Sequence, residues 1–214
     1  MLVMVFLGVI QKEKNYVDYY KYSMKSFYFA ISLVITSLLN PDIEKYDVEV
    51  SSKILNAKYD YEFKKYWELH NPPSVILDEW KLLKSQCYAE SAFREMALSP
   101  VGAKGLCQFM DATWKQYGNG LDVFNADANI NASARYMSEL RMKWISERPE
   151  QDRMKLAQAS YNAGFGNILK SQKKCGGVLY DDIISCLEQV TGYHSKETIV
   201  YVKRIWKGYW MLVV

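Results

Sequence analysis

The chain has 214 residues, half of them hydrophobic and 24% charged, which allows one large domain or a domain with an extension and excludes long disorder, collagen-like repeats and a disulfide miniprotein. With 27 basic against 24 acidic residues the net charge is only +3, far from the basic stripe of a nucleic-acid binder, so no nucleic acid is expected as a partner. The outlier is the aromatic content, 17 Tyr, 8 Phe and 6 Trp, rings that suit packing and the faces of flat or cyclic ligands alike.

Two apolar stretches come early, Met1 to Ile10 and Ser26 to Leu39, and both fall short of the ~20 residues that cross a bilayer as a helix. The second follows Lys21 and Lys25 and ends at Asn40-Pro41, the charge-then-apolar order of an export signal. Read from Met24 it is an ordinary signal sequence, which makes residues 1–23 an upstream extension or a misassigned start. Thr36-Ser37-Leu38-Leu39 offers large residues where a signal peptidase needs small ones. The expectation is therefore an uncleaved signal anchor that associates with a membrane through residues 26–39; a helix buried on the main domain is the alternative. Residues 41–70 are charged and tyrosine-rich and read as a connector or helical arm. Asn71-Pro72-Pro73-Ser74 is the expected boundary, because tandem prolines stop one helix and can start the next. This divides the chain into an N-terminal extension, residues 1–70, and a main domain, residues 71–214. The first 70 residues carry nine Lys and nine acidic groups, so the net positive charge lies in the main domain, which fits an anionic polymer and equally a plain solvated surface.

After the break, Ile76, Trp80, Leu83 and Cys87 recur at three- and four-residue steps, one stripe of a helix, and a further step of three reaches Glu90. A carboxyl on a buried stripe keeps its proton to an unusually high pH, because burying the ionised form is costly. The competing reading pairs Glu90 with Arg94 or Lys81 in solvent. Ser99 to Met110 contains Gly102 and Gly105, suited to a tight turn and close backbone approach. Asp127 to Trp144 reads as a helix through Ile130, Ala134, Met137, Leu140 and Trp144, with Tyr136 at the edge of that stripe. Leu156 to Gly164 reads as a small-residue helix with Gly164 as a left-handed cap. Ser195 is an N-cap candidate that places Glu197 in the first turn of the last helix. Cys87, Cys107, Cys175 and Cys186 form no CxxC or zinc spacing, so no metal is expected; Cys87 with Cys107 and Cys175 with Cys186 is one of three connectivities, and four reduced thiols compete with all of them. His70 and His194 are the only histidines, and neither belongs to a Ser-His-Asp or Cys-His set.

Glu90-Ser91-Ala92-Phe93 with Ser99 to Met110, Asn129-Ile130 with Tyr136-Met137, Ala157 to Gly164, and Glu197 to Val202 resemble, in order and approximate spacing, the signature blocks of soluble lytic transglycosylases, relatives of goose-type lysozyme. The resemblance implies a mainly α fold, a lysozyme-like helical domain with an N-terminal helical extension. It implies a peptidoglycan lytic transglycosylase that needs no cofactor and takes glycan strands as its partner, with Glu90 as acid and then base. Ser99 and Gln108 would line the glycan cleft and Met110 its floor, although core filler is the stronger reading for Met110 taken alone. Tyr136 would contact substrate or Glu90, with a core tyrosine as the rival reading; the Tyr161 hydroxyl would lie near the carboxyl, and Asn162 would face the sugar, a role compatible with capping its helix. Glu197 would make a cleft contact with the glycan or its peptide, a role that competes with simple complementarity to the helix dipole.

Asp111 departs from the family, which usually carries proline there; Ser133 replaces a common glycine and Ser160 a small apolar residue. A hydrolase needs a second carboxylate, and Asp111 is the candidate for that alternative. A non-catalytic glycan-binding envelope or virion protein is the third reading. The cysteine-bearing first block and the run Tyr201 to Trp206 resemble a bacteriophage or prophage branch. Export to the periplasm or cell envelope, inner-membrane tethering and a monomeric state complete the expectations, with a virion-associated location as the alternative.

Overall fold

A computed structural model describes residues 50–214. The signal-like segment at residues 26–39 and the start at Met24 lie outside the described residues. A 3-10 turn at Ser52–Leu55 precedes nine helices among the described residues: α1 Asp60–His70, α2 Trp80–Ser91, α3 Asp111–Tyr117, α4 Ala126–Lys143, α5 Glu150–Ala163, α6 Phe165–Cys175, α7 Tyr180–Ser185, α8 Glu188–Thr191 and α9 His194–Val213. The only pairing of β type among them is two isolated bridges, Leu98 with Lys104 and Lys104 with Phe109. No described helix is long and apolar enough to cross a membrane.

Helix α1 ends where the tandem prolines demand. Asn71 is extended at φ −113° and ψ 136°, as the residue before a proline must be to avoid its ring. The expected division at residue 70 nevertheless falls inside one compact unit, Val48–Val214. Phe63, Tyr66 and Trp67 of α1 recur within one helical turn of each other and bury into the common core. Buried polar contacts reinforce that packing. Lys84 of α2, 1% exposed at its side chain, meets Asp60 of α1 at 2.6 Å, and Trp67 Nε1 donates to Glu79 Oε2 at 3.2 Å. Glu79 in turn takes Arg141 of α4 at 3.2 Å, and Arg141 reaches Glu150 of α5 at 2.6 Å. A buried charge without its partner is costly, so these four elements are held in one arrangement.

Helix α2 is the axis of the domain, packed on α1 on one side and α9 on another. It starts at Trp80, leaving Ile76 in the preceding coil, and it is buried without interruption from Leu82 to Cys87. The single stripe expected from the sequence is therefore too narrow: two partners cover two faces of the helix. Close approach to α9 is made at Gly208, where a Cβ would overlap Ser85 Oγ and Ile54 Cδ1. Ser85 Oγ donates to the Ile205 carbonyl at 2.7 Å in the same contact.

Helix α4 is capped by Asn125, whose side chain accepts from Ala128 N at 2.9 Å, one of the orphan amides a helix start must satisfy. Gly164 ends α5 at φ 84° and ψ 133°, a glycine-favoured conformation but not the left-handed cap that the sequence pattern predicts, because α6 follows at once from the same residue. Ser195 is not the cap of the last helix. It lies inside α9, 2% exposed, and the helix starts one residue earlier.

Candidate active site

Glu90 is the second-to-last residue of α2. The chain then reverses through Ala92 and Phe93, both left-handed at φ 52° and 61°, a conformation that costs non-glycine residues energy and persists where surroundings enforce it. Phe93 packs edge-on against Tyr59, and its ring also meets Phe63 of α1. The Glu90 carboxyl is thereby left at the end of a rigid helix, half-buried, facing α9.

From α9 the Tyr201 hydroxyl donates to Glu90 Oε1 at 2.6 Å. Burial raises the Glu90 pKa to about 8, the charge of Glu197 adds to the rise, and the Tyr201 hydrogen bond opposes it. Burial wins because desolvation penalises the ionised form more than one neutral donor relieves it. Lys81 pairs instead with Asp78 at 2.8 Å, and Arg94 Nε donates to the Ser91 carbonyl, so neither of the two expected counter-ions serves Glu90. Tyr201 lies in the last of the sequence blocks, whose resemblance implies a ring along the sugar cleft and no bond to Glu90. Its readable signal is spacing: Glu197 and Tyr201 stand four apart and so share a helix face.

Tyr161 lies close enough to feel the Glu90 charge but does not bond the carboxyl. Its hydroxyl donates to the Cys107 carbonyl at 2.8 Å, while the Glu90 charge helps hold its pKa well above the ordinary tyrosine value, behind burial as the main cause. The Tyr136 ring packs tilted against it at 5.2 Å and against Tyr117 at 4.7 Å. The row leads from Glu90's surroundings toward a cavity of about 420 Å³ lined by His70, Tyr117, Arg135 and Glu139. Asn162 accepts from Thr198 Oγ1 at 2.7 Å and lines a second cavity, about 380 Å³, together with Glu197, His194 and Asn167. Glu197 is exposed and lies 3.9 Å from His194 Nδ1.

The loop beside Glu90 is tied down by a dense set of hydrogen bonds. Ser99 Oγ accepts from Ala103 N at 2.9 Å, and Gln108, left-handed at φ 55°, donates its amide to the Gly105 carbonyl at 2.9 Å. Gly105 has φ 78°, and a Cβ there would overlap the Val123 carbonyl. Ser91 Oγ donates to the Leu106 carbonyl at 2.7 Å, and Cys107 N donates to Asn129 Oδ1 at 2.8 Å. Met110 is 47% exposed, which overturns the core-filler reading. Cys87 with Cys107 and Cys175 with Cys186 are the disulfides, so the four-thiol alternative falls.

Asp111, the candidate second acid, is exposed and pairs with Lys104 at 2.7 Å. The second carboxylate that Glu90 senses is Glu197. Ser160 holds helices together, since it accepts from Trp144 Nε1 at 3.2 Å and donates to the Leu156 carbonyl at 2.6 Å. Among the described residues no cluster of His, Cys, Asp and Glu could hold a metal ion.

Residues 78–183 match the family model described as the transglycosylase SLT domain. The membrane-bound lytic murein transglycosylase F of Pectobacterium atrosepticum is 34% identical over 95 residues, which are 44% of this chain and 20% of that protein. The protein of the same name from Marinobacter nauticus is 31% identical over 153 residues, 63% of this chain and 30% of that one. An inactive variant of the lytic transglycosylase Slt from Pseudomonas aeruginosa superimposes with a TM-score of 0.56 at 22% identity, covering 73% of this chain and 24% of its own. The 70 kDa soluble lytic transglycosylase of Escherichia coli gives 0.52 at 22% identity, with 73% and 25% covered. The chain thus spans about a fifth to a third of the curated relatives it matches. Its described part shares the helical, lysozyme-like fold of the soluble lytic transglycosylases.

Proposed function

From a chain that matches the transglycosylase SLT domain over residues 78–183, we propose a peptidoglycan lytic transglycosylase with Glu90 as its acid and base. The observation that carries this reading is the Glu90–Tyr201 pair at 2.6 Å, with the carboxyl proton held to about pH 8. A carboxyl that stays protonated near neutral pH can act as a general acid. Protonated Glu90 gives its proton to the glycosidic oxygen between N-acetylmuramic acid and N-acetylglucosamine, and the C1–O bond breaks. The carboxylate so formed takes the proton of the muramoyl C6 hydroxyl as that oxygen bonds to C1. The product is a 1,6-anhydro end; no water enters, and Glu90 recovers its proton.

Tyr201 aims the carboxyl, while Asn162 and Glu197 serve the sugar or its peptide from the 380 Å³ cavity. Tyr136 and Tyr161 form an aromatic wall, and Ser99, Gln108 and Met110 belong to the loop that closes the cleft. The exposed, lysine-paired Asp111 supports one carboxyl over two. Mass spectrometry of digested murein tests the reaction: anhydro ends without added water are expected, and reducing ends would establish a hydrolase instead.

Two disulfides and membrane-bound relatives support action in the cell envelope. The signal-like residues 26–39 support export with inner-membrane tethering. The cysteine-bearing first block and the run Tyr201 to Trp206 support a phage or prophage source with an endolysin role. N-terminal sequencing of the mature chain tests the export reading, and a cytosolic chain with four reduced thiols would refute it.

A further inference from the structure

Cys87 lies one helical turn before Glu90 on α2, and Cys107 lies next to Gln108; both are 0% exposed and joined to each other. Cys107 also spends both its backbone groups on the site. Its amide donates to Asn129 Oδ1 and its carbonyl accepts from the Tyr161 hydroxyl. One residue thus links the carboxyl's helix, the loop and the tyrosine of α5. Beside it Gln108 holds a left-handed conformation, which a non-glycine residue leaves unless the surroundings enforce it. The other disulfide joins the end of α6 to the end of α7, elements that carry none of these groups.

We infer that the Cys87–Cys107 disulfide is a positioning element of the active site, so that the catalytic geometry is completed only when the chain folds under oxidising conditions. This rests on the proposed function for its activity readout and on geometry alone for its structural one. Forming the bond converts two thiols into one disulfide with release of two protons and two electrons. A small-molecule disulfide, oxidised glutathione, accepts them and leaves as two thiols. Because both sulfurs are buried, the bond is set during folding and is not toggled in the folded protein. A chain held in a reducing compartment would therefore carry Glu90 without the loop and tyrosine fixed beside it.

The test compares wild type, Cys87→Ser/Cys107→Ser and Cys175→Ser/Cys186→Ser, each refolded with oxidised glutathione. Cys87→Ala/Cys107→Ala is the second variant, with no added polar atom in a buried place. Murein turnover is measured against pH, and amide exchange is followed at residues 105–108. Opening either site variant is expected to lower kcat by about 100-fold, the cost of a small misplacement of reacting groups, with KM little changed. The amide at position 107 is expected to lose its exchange protection.

The upper limb of the pH profile should move below about 8, because water reaches Glu90. The charged and titratable groups facing it, Tyr201 and Glu197 from α9 and Tyr161 from α5, are untouched. The Cys175–Cys186 variant should keep wild-type values on all counts. Wild-type turnover and exchange in a site variant would overturn the inference, and so would failure of both site variants to fold, since the bond would then serve stability alone. If wild type itself leaves murein intact, the proposed function fails and the exchange comparison alone decides this inference.

Discussion

At the scale of single residues, Glu90 is where stability and chemistry oppose each other. Its pKa is raised from 4.5 to about 8, so the folded state binds a proton that the unfolded state releases between those values. The stability this contributes is complete below about pH 4.5 and is lost as pH rises through about 8. Glu90→Gln should therefore melt at a higher temperature than wild type above pH 8 and gain nothing at pH 4, a difference that calorimetry reads directly. The same change should lower murein turnover by about 100-fold or more, the usual loss when a general acid is removed. Survival of turnover would mean that another group does the chemistry. Tyr201→Phe removes a donor that favours the ionised carboxyl, so the upper limb of the pH profile should move to higher pH. The lost bond to a charged group is worth about 1.5–3 kcal/mol, and kcat should fall correspondingly.

At the scale of elements, the packing of α2 on α9 decides whether Glu90 and Tyr201 meet. Gly208 follows Tyr201 by seven residues, two turns along the same face, and it lets α9 approach Ser85 without a Cβ between them. Gly208→Ala should cost about 1–3 kcal/mol through overpacking, measured as a lower urea midpoint with an unchanged slope. It should also lower kcat, because the tyrosine is carried away from the carboxyl. Nothing in the sequence marks Gly208 as more than a poor helix former, since a close approach between helices is visible only once both are placed. By contrast α4 is legible to within a residue at each end. Its apolar stripe is periodic and Asn125 is a strong cap, and both signals are local. The start of α9 is not legible, for the opposite reason. Ser195 looks like a cap in isolation, but burial places it inside the helix.

At the scale of the whole molecule, α1 belongs to the domain and not to a preceding arm. A chain beginning at Val48 should unfold cooperatively. One beginning at Asn71 should lose cooperative unfolding, because it discards the buried Ile54, Phe63, Tyr66 and Trp67 and leaves Lys84 buried without Asp60. Circular dichroism melts of the two would separate these outcomes. Periodicity points to a break at Pro72-Pro73, and the break is real, but a proline turn ends a helix without ending a domain. The boundary depends on where the side chains at the end of α1 find their partners, 60 and more residues along the chain.

The sequence by itself determined the helical character of the chain, because hydrophobic periodicity is local to one element; Glu90 is picked out by the resemblance of the four blocks and not by its stripe, which a solvent-paired carboxyl would satisfy equally. Tertiary structure alone decided that Tyr201 is the hydrogen-bond partner of Glu90, 111 residues away, and that the Tyr161 hydroxyl, within reach of the Glu90 charge, is spent on the Cys107 carbonyl. It also decided between two disulfides and four thiols. Contacts between distant segments follow from how helices pack and how closely they approach, and hydrophobic periodicity states which face is buried without stating against what.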